Sequence, residues 1–357
     1  MIQFKSSIGR LPKSPLQLSR LLKTTNNSSR NSERIILRKT KSMDNPSDFP
    51  TRNSYEIANR LKGINSLRVT AGDHKFLFRN LLAEIILILE KFVIDTLLLN
   101  DFKMVSVPEI VDVDSIRDCG FNICDVKENK AFRIKVDSEK GKKDEAILIA
   151  TSEIPLSIYS KRKIYEESEL PIKYFAISNC FRMEAEGIKS GNELYRLRQF
   201  KKIEMYSVLP QCHSTSLNES NLFGLKSIID IQYSIYEQLF DDLQLIKMPI
   251  SDLNQSALHK LDIETWMQHK SFCGELTSAS YCSDFQAKNF KILYRSSDSD
   301  DLIYAHTING TAMAFPRVIM KILEKFQATS NENMKDMTEQ IKDSLNNLKP
   351  KKLNEGG

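Results

Sequence analysis

The stretch from Pro171 to Val208, PIKYFAISNCFRMEAEGIKSGNELYRLRQFKKIEMYSV, places Arg182 and Glu184 two residues apart, then Arg196, Phe200 and Glu204 at intervals of four. It reads as two strands joined by a long polar loop, and strand period two puts each set on one face. Arginines suit phosphate or carboxylate, an aromatic ring suits a flat base, and carboxylates suit an amine. A nucleoside triphosphate together with an amino acid is such a ligand. A solvated strand face with cross-strand ion pairs fits the hairpin alone equally well.

Other segments carry residues of the same chemical kind. AILIATSEI ends by presenting Thr151 and Glu153, two apart; a strand-end threonine bonded to backbone is the plain alternative for the first. Asp262 and Glu264 alternate in LDIETWM, a spacing that on its own suits a metal pair. Glu275 and Ser278 follow in GELTSASYCSDFQAKN. The apolar strand Leu302 to Ile308 runs into Asn309-Gly310-Thr311, and Pro316 suits a first helical turn, which sets Arg317 at a helix start. There a cation can meet phosphates, or simply lie on a helix surface.

The elements that must position these residues follow from periodicity. Apolar residues from Phe78 to Leu97 recur at three-four spacing, predicting an amphipathic helix over 75–100. Its charges Glu84, Glu90, Lys91 and Asp95 argue against a membrane span. A short helix is expected over Tyr55 to Leu61, and a second amphipathic helix over Leu222 to Asp242, followed by the strand LQLIKMP. A further helix buries Val318, Ile319, Ile322, Leu323 and Phe326. The run between Asp112 and Glu145 is polar, with residues 137–143 as an exposed turn.

At 357 residues with 41% hydrophobic content, one large domain with tails fits best. A net charge of +5 is compatible with an RNA partner without identifying one. Six cysteines form no CxxC pair, which points to a reducing compartment and not to a disulfide framework. Cys212-His213 lacks a second ligand cluster, and His259 and His269 read as structural. Residues 1–43 hold ten Lys/Arg and the single acid Glu33 among many Ser and Asn, the composition of a mitochondrial transit peptide or of a basic arm that touches nucleic acid. The chain thus divides into a targeting or disordered segment with linker (1–54), a catalytic-like domain (55–328) and a polar tail (329–357).

FRME followed by LYRLRQFKKIE resembles motif 2 of the class II aminoacyl-tRNA synthetases, in the version of the seryl-tRNA synthetase family. ILIATSEIPL resembles that family's serine-pocket strand, LDIETWM its DIE-W segment, GELTSASYCSDFQAKN its E-x-S-S block, and AHTINGTAMAFPRVIMKILEKFQ its motif 3. Pro108 sits where motif 1 places its proline. The blocks run in the family's order from about Val69 to Gln327, with wording closest to mitochondrial-type members. The resemblance implies an α+β fold, a class II synthetase-like antiparallel sheet flanked by helices. It implies ATP and Mg²⁺ as cofactors, with L-serine and tRNA(Ser), or other mitochondrial RNA, as partners in the mitochondrial matrix. It also implies a dimer, either a homodimer or a heterodimer with a related synthetase, built on the helix over 75–100 and the strand Lys103 to Val107.

By the same resemblance Arg182 binds the α-phosphate and serine's carboxylate, Phe200 stacks on adenine, Glu184 meets the adenine amine, and Arg317 holds the γ-phosphate. Arg196 joins the ATP set, Glu275 and Ser278 carry Mg²⁺, Glu204 and Thr151 grip serine's amine, and Thr311 faces its hydroxyl. Some positions depart from the family pattern: Glu193 stands for a glycine, Arg198 for a histidine, and Lys288-Asn289 for two arginines. The residues before Val69 are too few and too rich in Ser and Asn for the family's tRNA-grasping helical hairpin. Two readings remain open: a serine-activating mitochondrial ligase, and a catalytically silent synthetase-like paralogue that binds RNA or a synthetase partner.

Overall fold

The computed structural model describes residues 34–40, 52–67, 75–121, 131–137, 143–183, 194–211, 219–327 and 333–353. In chain order the strands are β1 (Ile35–Lys39), β2 (Ile64–Ser66), β3 (Phe76–Phe78), β4 (Lys103–Met104), β5 (Ile110–Asp112), β6 (Arg133–Asp137), β7 (Lys143–Leu148), β8 (Ile164–Glu166), β9 (Ile172–Phe181), β10 (Gln199–Leu209), β11 (Leu243–Lys247), β12 (His259–Met267), β13 (Phe272–Ser283), β14 (Leu293–Arg295), β15 (Leu302–Tyr304) and β16 (His306–Ala314). The helices are α1 (Ser54–Arg60), α2 (Leu81–Leu99), α3 (Val113–Asp118), α4 (Glu153–Tyr159), α5 (Glu219–Tyr236), α6 (Phe285–Phe290), α7 (Phe315–Gln327) and α8 (Met334–Asn346).

Alternation along β9 and β10 explains the layering. On β10, Ile203, Met205 and Leu209 enter one apolar cluster, with residues of α2, α5, α7 and α8, while Tyr206 and Val208 enter a second with Ile154, Leu156, Phe290 and Tyr294. Both faces of the strand are therefore buried, and the sheet is the middle layer between helices. It has eight strands in the order β1-β11-β12-β13-β16-β10-β9-β4. Neighbours pair antiparallel except β4 with β9. The class II-like antiparallel sheet expected from the sequence is present.

The structure corrects several boundaries. Residues 76–78 form β3, paired with β2, so α2 begins at Leu81 and not near 75. Asn80 breaks the helix there with a φ of 52°, and its amide donates to the carbonyl of Lys62 at 2.9 Å. The polar run 112–145 is not one irregular stretch: it holds α3 and the hairpin β6–β7, in which Asp137 pairs with Lys143. The turn expected over 137–143 otherwise lies outside the described residues.

Both expected tails contribute to the fold. Ile35–Lys39 form the edge strand β1 against β11, with Leu37 buried, whereas the sequence suggested a targeting or disordered segment; residues 1–33 lie outside the described set. In the C-terminal region Met337, Ile341 and Leu345, each four apart, are buried on one side of α8. Beyond it, Asn100 at the end of α2 accepts from the Leu353 N–H and donates to the carbonyl of Lys351, both at 2.8 Å. No helix among the described residues is long and apolar enough to cross a membrane.

Candidate active site

Two β-bulges assemble the site. Ile263 on β12 faces Thr277 on β13, but the next residue, Glu264, faces Glu275, so Leu276 is an extra residue on β13. Strict alternation would send Glu275 and Ser278, three apart, to opposite faces; the bulge returns them to the same one. Asp262 pairs with Ser278 and Glu264 with Glu275, which brings all four onto that face. On β16 the bulge is at Ala312, since Ile203 faces Met313 and Glu204 faces Thr311. It sets Thr311 beside Glu204.

Arg317, in the first turn of α7, reaches back over β13. Its Nη1 lies 3.2 Å from Glu275 Oε1 and donates to the Glu275 carbonyl at 3.1 Å. The Tyr195 ring lies 4.8 Å from the guanidinium, and its hydroxyl donates to the same carbonyl at 3.3 Å. Burial would raise the Glu275 carboxyl, but the charges of Arg317, Lys260 and Arg182 outweigh it and hold that carboxyl below its ordinary range. Across the ladder Asp262 moves the other way, raised by burial and by the charge of Glu275, with Lys260 3.2 Å away.

Beside this group opens a cleft of about 280 Å³, mouth included, lined by Arg182, Leu194, Tyr195, Arg196, Leu197, Phe200, Ala314, Pro316 and Arg317. Arg182 lies one residue past β9, where its backbone N–H donates to the carbonyl of Arg198 at 3.0 Å, and its guanidinium lies 5.3 Å from the centre of the Phe200 ring. Two cations and an aromatic ring lining one cleft make a surface for phosphates and a base. Arg196 lines the cleft but precedes β10 and is exposed, so the alternation expected for Arg196, Phe200 and Glu204 holds for the last two only. Glu184 and Glu193 lie outside the described residues, as does Cys212-His213.

Deeper in the sheet the expected serine set comes together. Thr311 Oγ1 donates to Glu204 Oε2 at 3.1 Å. Between Thr151, Thr311 and Glu204 stands the buried ammonium of Lys202, paired with the Glu204 carboxylate and donating to Thr151 Oγ1 at 2.9 Å and Thr311 Oγ1 at 3.4 Å. Sequence reasoning missed Lys202, although its spacing from Glu204 already put the two on one face.

Glu153 is not the strand-end residue that its spacing from Thr151 suggested. It opens α4, and its Oε1 accepts from Gln286 at 2.6 Å and from Asn309 at 2.7 Å. Burial, then the charge of Glu204, pushes its carboxyl up to about 8. A protonated carboxyl thus lies behind the Lys202 and Glu204 pair near neutral pH.

Asp262 and Glu264 act as supports. Both oxygens of the buried Glu264 are held, Oε2 by Gln244 at 2.9 Å and Oε1 by Arg34, which precedes β1. Among the described residues no group of three His, Cys, Asp or Glu side chains is arranged to hold a metal. Glu275 and Ser278 instead offer one carboxylate and one hydroxyl on a shared face. Such an oxygen pair fits a Mg²⁺ ion whose other ligands are phosphates and water.

Comparisons with known proteins bear on the family and the fold. The family described as "tRNA synthetase class II core domain (G, H, P, S and T)" matches residues 132–326. The mitochondrial serine–tRNA ligase of Saccharomyces cerevisiae is 36% identical over 230 residues, 64% of this chain and 49% of that protein. The serine–tRNA ligase of Dictyoglomus thermophilum is 33% identical over 263 residues, 73% of this chain and 58% of that protein. The chain thus spans about half to three fifths of the length of these relatives. The structure of seryl-tRNA synthetase from Pyrococcus horikoshii complexed with ATP superposes with a TM-score of 0.70 at 24% identity, covering 86% of this chain and 66% of that one. The cytoplasmic enzyme of Naegleria fowleri in complex with AMP gives 0.71 at 24% identity, covering 82% and 67%. These two show likeness of fold. With more than half of its length matched to that family, the chain belongs to the class II tRNA synthetases of the core-domain type that serves G, H, P, S and T.

Proposed function

We propose that this chain activates L-serine with ATP and passes it to tRNA(Ser) in mitochondrial translation. The observation that carries the reading is the adjacency of two sites on one sheet face. A cation-lined cleft with an aromatic ring lies beside a buried bay of hydroxyls and a carboxylate. The relatives in yeast mitochondria and in bacteria are serine–tRNA ligases, which supports serine as the amino acid.

In this reading adenine stacks on Phe200, with Glu184 at its amine, and Arg196 closes the outer side of the cleft. Arg317 holds the γ-phosphate, and Arg182 spans the α-phosphate and serine's carboxylate. A carboxylate oxygen of serine attacks the α-phosphorus, and the bond to the departing pyrophosphate breaks. Positioning and charge neutralisation supply the catalysis, so no protein nucleophile is required. Mg²⁺ held by Glu275 and Ser278 would neutralise phosphate charge. Glu204 and Thr151 take serine's ammonium and Thr311 its hydroxyl. The incoming ammonium shares the Glu204 side chain with Lys202, which pairs with it in the structure.

The basic, acid-poor start supports import into the mitochondrial matrix. A dimer through α2 and β4 is supported by exposed Leu87, Leu98, Leu99 and Met104, apolar surface of the kind that a partner covers. Serine-dependent exchange of pyrophosphate into ATP tests the activation step without tRNA. Exchange with serine is expected; its absence with every amino acid would leave the non-catalytic, RNA- or partner-binding role.

A further inference from the structure

The centre of the main sheet is split, and one buried side chain spans the split from below. The ladder between β13 and β16 runs from Ser283 and Thr307 to Ala279 and Gly310 and stops there. Both strands continue, β13 paired with β12 and β16 paired with β10. Beyond the last pair stand the carbonyls of Ser278 and Thr311, one on each strand. Each accepts from Nε2 of Gln232 on α5, at 2.8 and 2.9 Å, and the same nitrogen lies 3.0 Å from Thr277 Oγ1. Thr277 Oγ1 in turn donates to the Thr311 carbonyl.

Gln232 is wholly buried in an apolar layer of Ile228, Ile231 and Ile235, where a polar side chain needs a reason. Gly310 makes room for it: a Cβ there would lie 2.5 Å from Ile228 Cγ2 and 3.2 Å from Gln232 Nε2. The two lips of the split carry Ser278 and Thr311, whose side chains belong to the proposed metal and serine-hydroxyl positions.

We propose that Gln232 is a positioning residue that sets the width of the split and thereby the placement of Thr311 against serine's hydroxyl. The inference rests on the serine-activation reading. Gln232 touches no substrate; it acts through two backbone carbonyls. A donor at this point holds the strands at the separation of one amide; an apolar side chain takes that donor from the Ser278 carbonyl and leaves the Thr311 carbonyl to Thr277 Oγ1.

The test compares Gln232→Met, of similar length and without a donor, with Gln232→Glu, of the same shape, whose carboxyl donates once when protonated. Ile235→Val on the same helix controls for plain loss of core packing. In ATP–pyrophosphate exchange, Gln232→Met should raise KM for serine about tenfold. It should narrow the preference for serine over alanine and leave kcat nearly unchanged. Gln232→Glu should lie between it and the parent, and Ile235→Val should lower Tm without changing either ratio. Amide hydrogen exchange over residues 308–314 should quicken in Gln232→Met whether or not the protein turns over. A folded Gln232→Met with unchanged serine KM and selectivity overturns the inference. If the parent shows no exchange with any amino acid, the activation reading fails, and unaltered amide exchange in the variant then overturns the role of Gln232 as well.

Discussion

Arg317 Nη1 lies 3.2 Å from Glu275 Oε1 and 3.1 Å from the carbonyl of the same residue, so one guanidinium group grips both ends of a residue on another element. The grip couples the start of α7 to the bulged edge of β13. It holds the cation over the cleft and the carboxylate in its charged form.

Arg317→Ala should therefore abolish pyrophosphate exchange, because a charge-assisted contact made in the transition state is worth on the order of 3 kcal/mol. Arg317→Lys should recover only part of it, since an ammonium cannot meet the carboxylate, the carbonyl and a phosphate at once. Steady-state exchange rates check this, and an Arg317→Ala variant within about twofold of the parent would refute the assigned role.

Burial and the charge of Glu204 keep the Glu153 carboxyl protonated up to about pH 8, against an ordinary value of 4.5. The folded protein thus binds a proton that the unfolded chain has lost, and this contribution to stability is full below about 4.5 and lost as pH rises through 8. Glu153→Gln keeps the acceptor for Gln286 and Asn309 and cannot ionise. Its Tm relative to the parent should rise between pH 6 and pH 9. A parallel Tm profile for the two proteins would contradict the buried proton.

Because β1 is part of the main sheet and Leu37 is buried, removal of a leader is expected to stop before Arg34. A chain beginning at residue 34 should match the longer protein in Tm. One beginning at residue 41 loses buried Leu37 and the Arg34 contact to Glu264, and should melt several degrees lower. Mass determination of the mature N-terminus and calorimetry decide the matter; a mature protein starting beyond Lys39 would contradict it.

The dimer proposal is tested by charge on the exposed side of α2. Leu87→Glu and Leu98→Glu alter side chains 70% and 51% exposed, so the fold should survive while self-association weakens at least tenfold. Sedimentation velocity reads the outcome. A monomeric parent protein would refute the proposal directly.

Most of the fold was legible because its signals are local. Alternation marked β9 and β10, three-four spacing marked α2, α5 and α7, and Pro316 marked the start of α7. The family resemblance assembled these into the right sheet. The bulges at Leu276 and Ala312 had no local signal, since each depends on the register of a partner strand distant in sequence. They decide that Ser278 lies beside Glu275 and Thr311 beside Glu204. Lys202 was hidden for another reason: its spacing from Glu204 gave its face, but in a run of charged residues that does not tell which lysine is buried. Strand β1 was obscured by basic and polar neighbours that give it the composition of a leader.

Serine activation is tested most directly by pyrophosphate exchange into ATP with the purified chain, measured with serine, alanine and threonine in turn. The polar bay of Thr151, Glu204 and Thr311 should reject alanine by leaving buried groups unpaired, so exchange should appear with serine and exceed that with alanine by at least a hundredfold. Exchange no higher with serine than in the absence of any amino acid would contradict the account.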